Sequence, residues 1–125
     1  MTRIEYHKYI QELKEHCYGC THNGYTDKKS FYKVLEYRND ENGDIRAVCQ
    51  LVFYLYEIKD NHDTYYSIEP VVLVSRNVDE RLDFILPYPH RSIEELERIA
   101  KEFIQWVDGS IKPLDIIESS DNEKS

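Results

Sequence analysis

The stretch EHCYGCTHNGY, residues 15–25, holds the densest set of side chains that could do chemistry. Its C-x-x-C pair, Cys17 and Cys20, stands between His16 and His22. Thiolate and imidazole are ligands that zinc prefers, and a structural zinc site needs four ligands. Cys17, Cys20 and His22 are therefore the candidate metal ligands, with His16 as an alternative to His22. The fourth ligand would have to come from a distant position, namely His7, Cys49, His62 or His90.

The same cysteine pair also has a redox and a structural interpretation. Redox catalysis places the first cysteine at the N-terminus of a helix, where the helix dipole stabilises the thiolate. Here the pair straddles the C-terminus of a predicted helix, where the dipole has the opposite effect. The structural interpretation, which we favour, buries Cys17 on the apolar stripe of that helix and leaves Cys20 in a loop. Zinc binding is kept as the alternative, and no other cofactor is expected.

Two further groups of polar residues are candidates for a site. The stretch KDNHDTY, residues 59–65, places Asp60, His62 and Asp63 together, as a metal site or a proton-transfer site would, although turns select the same residue types. A second group precedes a predicted helix, whose free backbone N–H groups can hold an anion. The residues of this candidate anion site are His90, Arg91 and Ser92.

The familiar catalytic motifs are missing from the sequence. It contains no G-x-S-x-G elbow, no H-E-x-x-H pair and no Gly-rich phosphate loop, and it has only four glycines in all. We therefore expect a protein without enzymatic activity.

Two helices should flank the chain's central part. Thr2 and Glu5 have capping-box spacing, and the apolar residues that follow recur at helical spacing, which predicts a helix over residues 2–18 ending near Gly19. Ser92 and Glu95 repeat the capping box before a second apolar stripe, which predicts a helix over residues 93–107. Residues between the first helix and residue 30 are predicted to form a polar loop.

Four strands are predicted between the helices, over residues 30–38, 45–58, 65–76 and 81–87. They are rich in aromatic and β-branched residues, and turn residues such as Asn42-Gly43 separate them. Short connections favour sequential antiparallel pairing. The expected fold is a two-layer α+β domain, with the order helix, four-stranded antiparallel meander, helix, and with both helices on one sheet face. Residues 1–118 should form a single domain and residues 119–125 a disordered acidic tail.

The second strand predicts the surface most suited to binding. Residues 45–58 alternate, and their odd positions are all apolar up to residue 55, so the odd side should face the core. The even side should lie on the outside of the sheet, extended by one of two tyrosines across the hairpin. The candidate partner-binding residues are Arg46, Val48, Val52, Tyr54, Tyr56, Tyr65 and Tyr66.

A surface of this kind is rarely left bare on a monomer. Three occupants are open at this point. The tail segment Leu114 to Ile117 could cover the face within the same molecule, a second copy could form a homodimer through it, or a different protein could bind there.

Charge narrows the class of partner. The net charge is −8, and eleven of the sixteen aromatic residues are tyrosine. A phosphate backbone would be repelled, so direct nucleic-acid binding is not expected, although helix-flanked antiparallel RNA-binding modules share the element order. Size and acidity agree with small acidic inhibitors, immunity proteins and adaptors, and we expect a protein-interaction domain of that type.

The expected location is the cytoplasm. No run of eighteen apolar residues is present, and the first residues lack the apolar core of a signal peptide. An odd cysteine count of three and the lack of an N-x-S/T sequon favour a reducing compartment.

Overall fold

A computed structural model describes residues 1–23, 28–40, 42–87 and 91–108, except for the side chains of residues 22, 23, 28 and 108. The elements in chain order are α1 (Arg3–Glu15), β1 (Gly19–Asn23), β2 (Lys28–Asn39), β3 (Ile45–Asp60), β4 (Asp63–Ser75), β5 (Arg81–Ile85), α2 (Ile93–Glu102) and α3 (Ile104–Asp108). The predicted tail over residues 119–125, and the last part of the predicted domain, lie outside the described residues.

The strands form one antiparallel sheet in the order β1-β2-β3-β4-β5. The predicted α+β class with an antiparallel sheet is confirmed. The prediction of four strands was wrong, because residues 19–23 form a fifth strand along β2 rather than a loop. This segment is polar and has no apolar alternation. It forms a strand because it pairs with β2, and the Thr21 and Ser30 hydroxyls join the two strands at 2.7 Å.

Helix α1 begins where the sequence predicts, since the Thr2 hydroxyl accepts a hydrogen bond from the Glu5 backbone N–H at 3.1 Å. It ends earlier than predicted. The left-handed residue is Cys17, at φ 66°, rather than Gly19. The backbone N–H groups of Tyr18 and Cys17 donate to the carbonyls of Leu13 and Lys14, which is the Schellman pattern of helix termination. Tyr18 is thereby turned into the core.

The second predicted helix is two segments, α2 and α3. Ser92 caps α2 by accepting a hydrogen bond from the Glu95 N–H at 3.2 Å, as predicted. The break falls at Phe103, whose N–H bonds to the carbonyl of Ala100 three residues earlier. The Phe103 ring lies 4.6 Å from the ring of Phe84 on β5, so the break lets this aromatic side chain contact the sheet.

The core lies between the helices and one side of the sheet, which we call the inner face. Odd-numbered residues of β3 supply its middle, and Phe53, Leu51 and Cys49 are fully buried there. Side chains of α1, namely Tyr6, Tyr9 and Leu13, and of α2, namely Ile93, Leu96 and Ala100, join the same cluster. The alternation of residues 45–55 therefore indicates correctly which side of β3 is buried.

Candidate interaction surface

The other side of the sheet, which we call the outer face, carries an apolar row that crosses every strand. The antiparallel register places one residue of each strand side by side, in the order Gly19, Tyr32, Val52, Val71 and Ile85. Cross-strand neighbours on one face are close enough to pack directly. The row therefore makes a continuous apolar band across the width of the sheet.

Further rows on both sides of this band extend the outer face along β3. Towards the β3–β4 hairpin, Tyr54 lies between Ser30 and Glu69, and Tyr56 lies opposite Ser67. The last apolar pair before the hairpin is Ile58 with Tyr65. In the opposite direction the next row consists of Val34, Gln50, Leu73 and Asp83. Apolar and tyrosine side chains thus alternate with polar ones in the rows on both sides of the central band.

Exposure differs between the centre and the margin of this face. Val52 and Val71, in the middle of the central row, are only 6% and 5% exposed. Their neighbours in the row, Tyr32 and Ile85, are 39% and 67% exposed, and Tyr65 near the hairpin is 54% exposed. Helices α1 and α2 contribute their buried side chains to the opposite side of the sheet. The marginal side chains are therefore available to a partner that covers the centre.

A hydrogen bond links Tyr56 on this face to the carboxylate of Glu69. The pKa of Tyr56 is raised, first by burial and then by the negative charge of Glu69, which also accepts a hydrogen bond from the Tyr56 hydroxyl. Tyr54 adds a smaller contribution in the same direction. Tyr56 therefore stays neutral at physiological pH and offers an apolar ring whose polar tip is already satisfied.

Six of the seven predicted partner-binding residues lie on this face. Arg46 occupies its end near the β2–β3 turn, where its Nη2 donates a hydrogen bond to the Ser75 hydroxyl at 3.1 Å. The seventh residue, Tyr66, lies on the inner face, with its ring 4.9 Å from that of Tyr6. Tyr65 alone extends the outer face across the hairpin, because neighbouring strand residues point to opposite sides of a sheet.

The positions of Cys17 and Cys20 differ from those predicted by the structural interpretation of the cysteine pair. Cys17 is exposed rather than buried, since its left-handed backbone turns it away and the next residue, Tyr18, takes the buried position. Cys20 is exposed on strand β1 rather than in a loop. His22 occupies the strand position opposite Lys29, and its side chain lies outside the described set. All three cysteines are free. Within the described ranges no three His, Cys, Asp or Glu side chains gather as a metal site would require.

The third cysteine, Cys49, packs in the core. Burial raises the pKa of its thiol to about 11, with a smaller contribution from Glu36. The Sγ atom lies 3.6 Å from the carbonyl oxygen of Ala100 on α2 and donates a weak hydrogen bond to it. Cys49 is therefore an unreactive packing residue, as its position on the apolar side of β3 predicts.

The two remaining predicted sites lie elsewhere. His90 lies outside the described residues, and the Ser92 hydroxyl is engaged in capping α2. The Arg91 guanidinium is 3.9 Å from Glu95. Asp60, His62 and Asp63 are exposed around the tight β3–β4 turn.

Sequence reasoning missed a cavity of about 710 Å³ between the β2–β3 and β4–β5 turns. Its lining carries both signs of charge, from Arg38, Arg46, Arg76, Asp40, Asp79 and Glu80. Arg76 is held by an ion pair with Glu80 and lies 4.6 Å from the ring centre of Trp106 on α3. The lining comes from two turns that are distant in sequence, so only the strand register brings the two groups together.

A partly buried polar network between the helices and the sheet was also missed. The Tyr18 hydroxyl donates a hydrogen bond to Glu97 at 2.9 Å, and the ammonium group of Lys33 lies 3.2 Å from the same carboxylate. Burial, followed by this hydrogen bond, raises the pKa of Tyr18. The network ties α2 to β2 and satisfies its own charges, so we assign it a structural role.

Comparison with known proteins adds no functional information. No protein-family model, no curated protein sequence and no solved structure matches this chain. Among the described helices none has the length and apolar character needed to cross a membrane.

Proposed function

We propose that this protein is a small acidic, non-enzymatic interaction domain of the inhibitor, immunity-protein or adaptor type, working in the cytoplasm. Its binding surface is the outer face of the sheet. The observation that carries this proposal is the apolar row through Tyr32, Val52, Val71 and Ile85, which lies on the side opposite the hydrophobic core. The exposed apolar side chains of this row, Tyr32 and Ile85, flank a buried centre, and exposed apolar side chains that cluster are typical of interaction sites.

The composition of the outer face favours a protein as the partner. Tyrosine is enriched at protein interfaces because its ring is apolar and its hydroxyl tolerates water. A platform that stacks nucleic-acid bases would need a basic groove along the tyrosines. Here the arginines Arg38 and Arg46 lie at one end of the face, and Glu69 lies beside the tyrosines. The net charge of −8 makes the rest of the protein surface acidic, and that part of the surface would attract a basic partner.

The test is capture of bound polypeptides from the native cell with matched variants. Replacing Tyr54 and Tyr56 by Ser should abolish capture without unfolding the protein, because both side chains are only half-buried. Tyr37→Ser is the control, since Tyr37 is an exposed tyrosine of β2 at an inner-face position opposite Ala47. Capture that survives the double variant, or that is lost equally in the control, would contradict the proposal.

A second candidate function is zinc binding through Cys17, Cys20 and His22. It is favoured by the exposure of both cysteines and by the position of His22 in the same strand as Cys20, two residues further along β1. Elemental analysis of protein purified without a histidine tag tests it. About one equivalent of zinc, lost in a Cys17→Ser, Cys20→Ser variant, would support it, whereas less than roughly a tenth of an equivalent would exclude it.

A further inference from the structure

We propose that the occupant of the outer face is a second copy of this chain, packed sheet against sheet with the β3 strands of the two copies antiparallel. This inference rests on the proposed function, and it names the partner. It follows from the order of side chains along β3, from the positions of two charges that make no ion pair with a described residue, and from the size of the face.

The outer-face side chains of β3 are complementary to those of a second β3 strand that runs in the opposite direction. Consider a two-fold axis that crosses the strands at the level of Phe53. It would place each β3 residue opposite the second-copy residue that lies equally far from Phe53 on the other side. Gln50 would then meet the Tyr56 hydroxyl, and Val52 would meet the Tyr54 ring. The four opposed pairs, each made twice, are Arg46–Asp60, Val48–Ile58, Gln50–Tyr56 and Val52–Tyr54, and in two of them Ile58 and Tyr54 would cover the already buried Val48 and Val52.

Charge complementarity supports this arrangement. Arg46 donates a hydrogen bond to the neutral Ser75 hydroxyl and makes no ion pair within the described part of the chain. Asp60 lies at the opposite end of β3, and it too makes no ion pair with any described residue. About 46 Å of strand separates them, so they cannot meet within one molecule. In the antiparallel dimer each would face its opposite charge.

The extent of the face is of the same order as a standard interface. From strand lengths and strand spacing, the outer face spans a plane area of about 700 Å² per copy. Standard protein interfaces bury about 800 Å² of accessible surface per partner, so the whole face would have to take part. Sheets packed in this way stay about 10 Å apart with their side chains interleaved, and Tyr54 and Ile58 are long enough to fill that space.

The experiment is sedimentation equilibrium on the full chain and on charge-reversed variants. The wild type should sediment at twice its chain mass of 15.0 kDa. Arg46→Asp or Asp60→Arg alone should weaken dimerisation at least about tenfold, because like charges then face each other. An equimolar mixture of the two variants should recover a heterodimer, since both opposed pairs are again of opposite sign. Circular dichroism on each variant would separate a weakened interface from unfolding.

Three outcomes would overturn the inference. The first is a wild type that is monomeric at about 100 μM, where interfaces of this size are populated. The second is a dimer whose affinity is insensitive to both charge reversals. The third is a chain that dimerises only after Leu114, Ile116 and Ile117 are replaced by Ser, which would identify the chain's own segment as the occupant. If cellular capture still depends on Tyr54 and Tyr56 in these cases, the proposed function stands with another partner.

Discussion

Tyr65 and Tyr66 are neighbours in the chain but lie on opposite faces of the sheet. Tyr66 lies 4.9 Å from Tyr6 of α1, whereas Tyr65 faces solvent opposite Ile58. The pair therefore separates the two roles of tyrosine in this protein, one in packing and one on the candidate interaction surface.

The first prediction uses this pair as matched variants. Tyr66→Ser should lower the free energy of unfolding by about 2 kcal/mol, because it removes a ring packed against the helix layer. Tyr65→Ser should change it by less than about 0.5 kcal/mol and should weaken association instead. Urea denaturation and sedimentation measure the two quantities. Equal loss of stability in both variants would contradict the assignment of faces.

A second prediction concerns the Tyr18–Glu97 hydrogen bond. Tyr18→Phe keeps the ring, which lies 5.4 Å from that of Phe53, and removes the donor to a largely buried carboxylate. The free energy of unfolding should fall by about 1 to 2 kcal/mol, since the bond is charge-assisted but Lys33 still pairs with Glu97. Tyr65→Phe, which removes an exposed hydroxyl, is the control. No difference between the two variants in denaturant midpoint would show that the bond contributes nothing.

The buried tyrosines also predict loss of stability in alkali. The pKa values of Tyr18 and Tyr9 are raised above the ordinary value of 10.0, in both cases chiefly by burial. The folded protein therefore keeps these protons while the unfolded chain loses them. The contribution of these two tyrosines to the free energy of unfolding should be constant below pH 10. It should fall as the pH rises above 10. Thermal unfolding between pH 8 and pH 11 measures the slope.

That slope should be shallower in Tyr18→Phe than in the wild type, because one of the groups whose pKa is raised by folding is then removed. Parallel curves for the two proteins would contradict a role for Tyr18 in the alkaline transition.

A further prediction concerns the end of α1. Cys17 adopts φ 66°, a left-handed conformation that favours glycine. Cys17→Gly should stabilise the protein by about 0.5 to 1 kcal/mol. Cys17→Ser, which keeps a Cβ atom, should give no gain. A destabilised Cys17→Gly variant would indicate that the thiol has a role that the backbone geometry does not explain.

The features predicted correctly from sequence are those that local chemistry determines. Thr2 and Ser92 cap the helices because each hydroxyl meets an N–H three residues later. The alternation along β3 determines which side of the strand faces the core, since a shift of one residue would expose Phe53 and Leu51. Most predicted strand boundaries fall within two residues of the structure for the same reason.

The features that were missed depend on contacts between distant residues. Strand β1 carries no apolar period, and only its pairing with β2 makes it a strand. The left-handed residue at Cys17 follows from the need to bury Tyr18 beside Phe53. The assignment of Tyr66 rather than Tyr65 to the core depends on the register of β4 with β3, which two adjacent tyrosines cannot indicate by themselves.

Site-specific photo-crosslinking in the native cell tests the central claim most directly. A benzophenone side chain would replace Tyr54 on the outer face in one variant and Tyr37, an exposed tyrosine off that face, in another. We predict a covalent adduct with a polypeptide from position 54 and none from position 37. Adducts from position 37 with none from position 54 would show that the outer face is not the surface through which this protein binds.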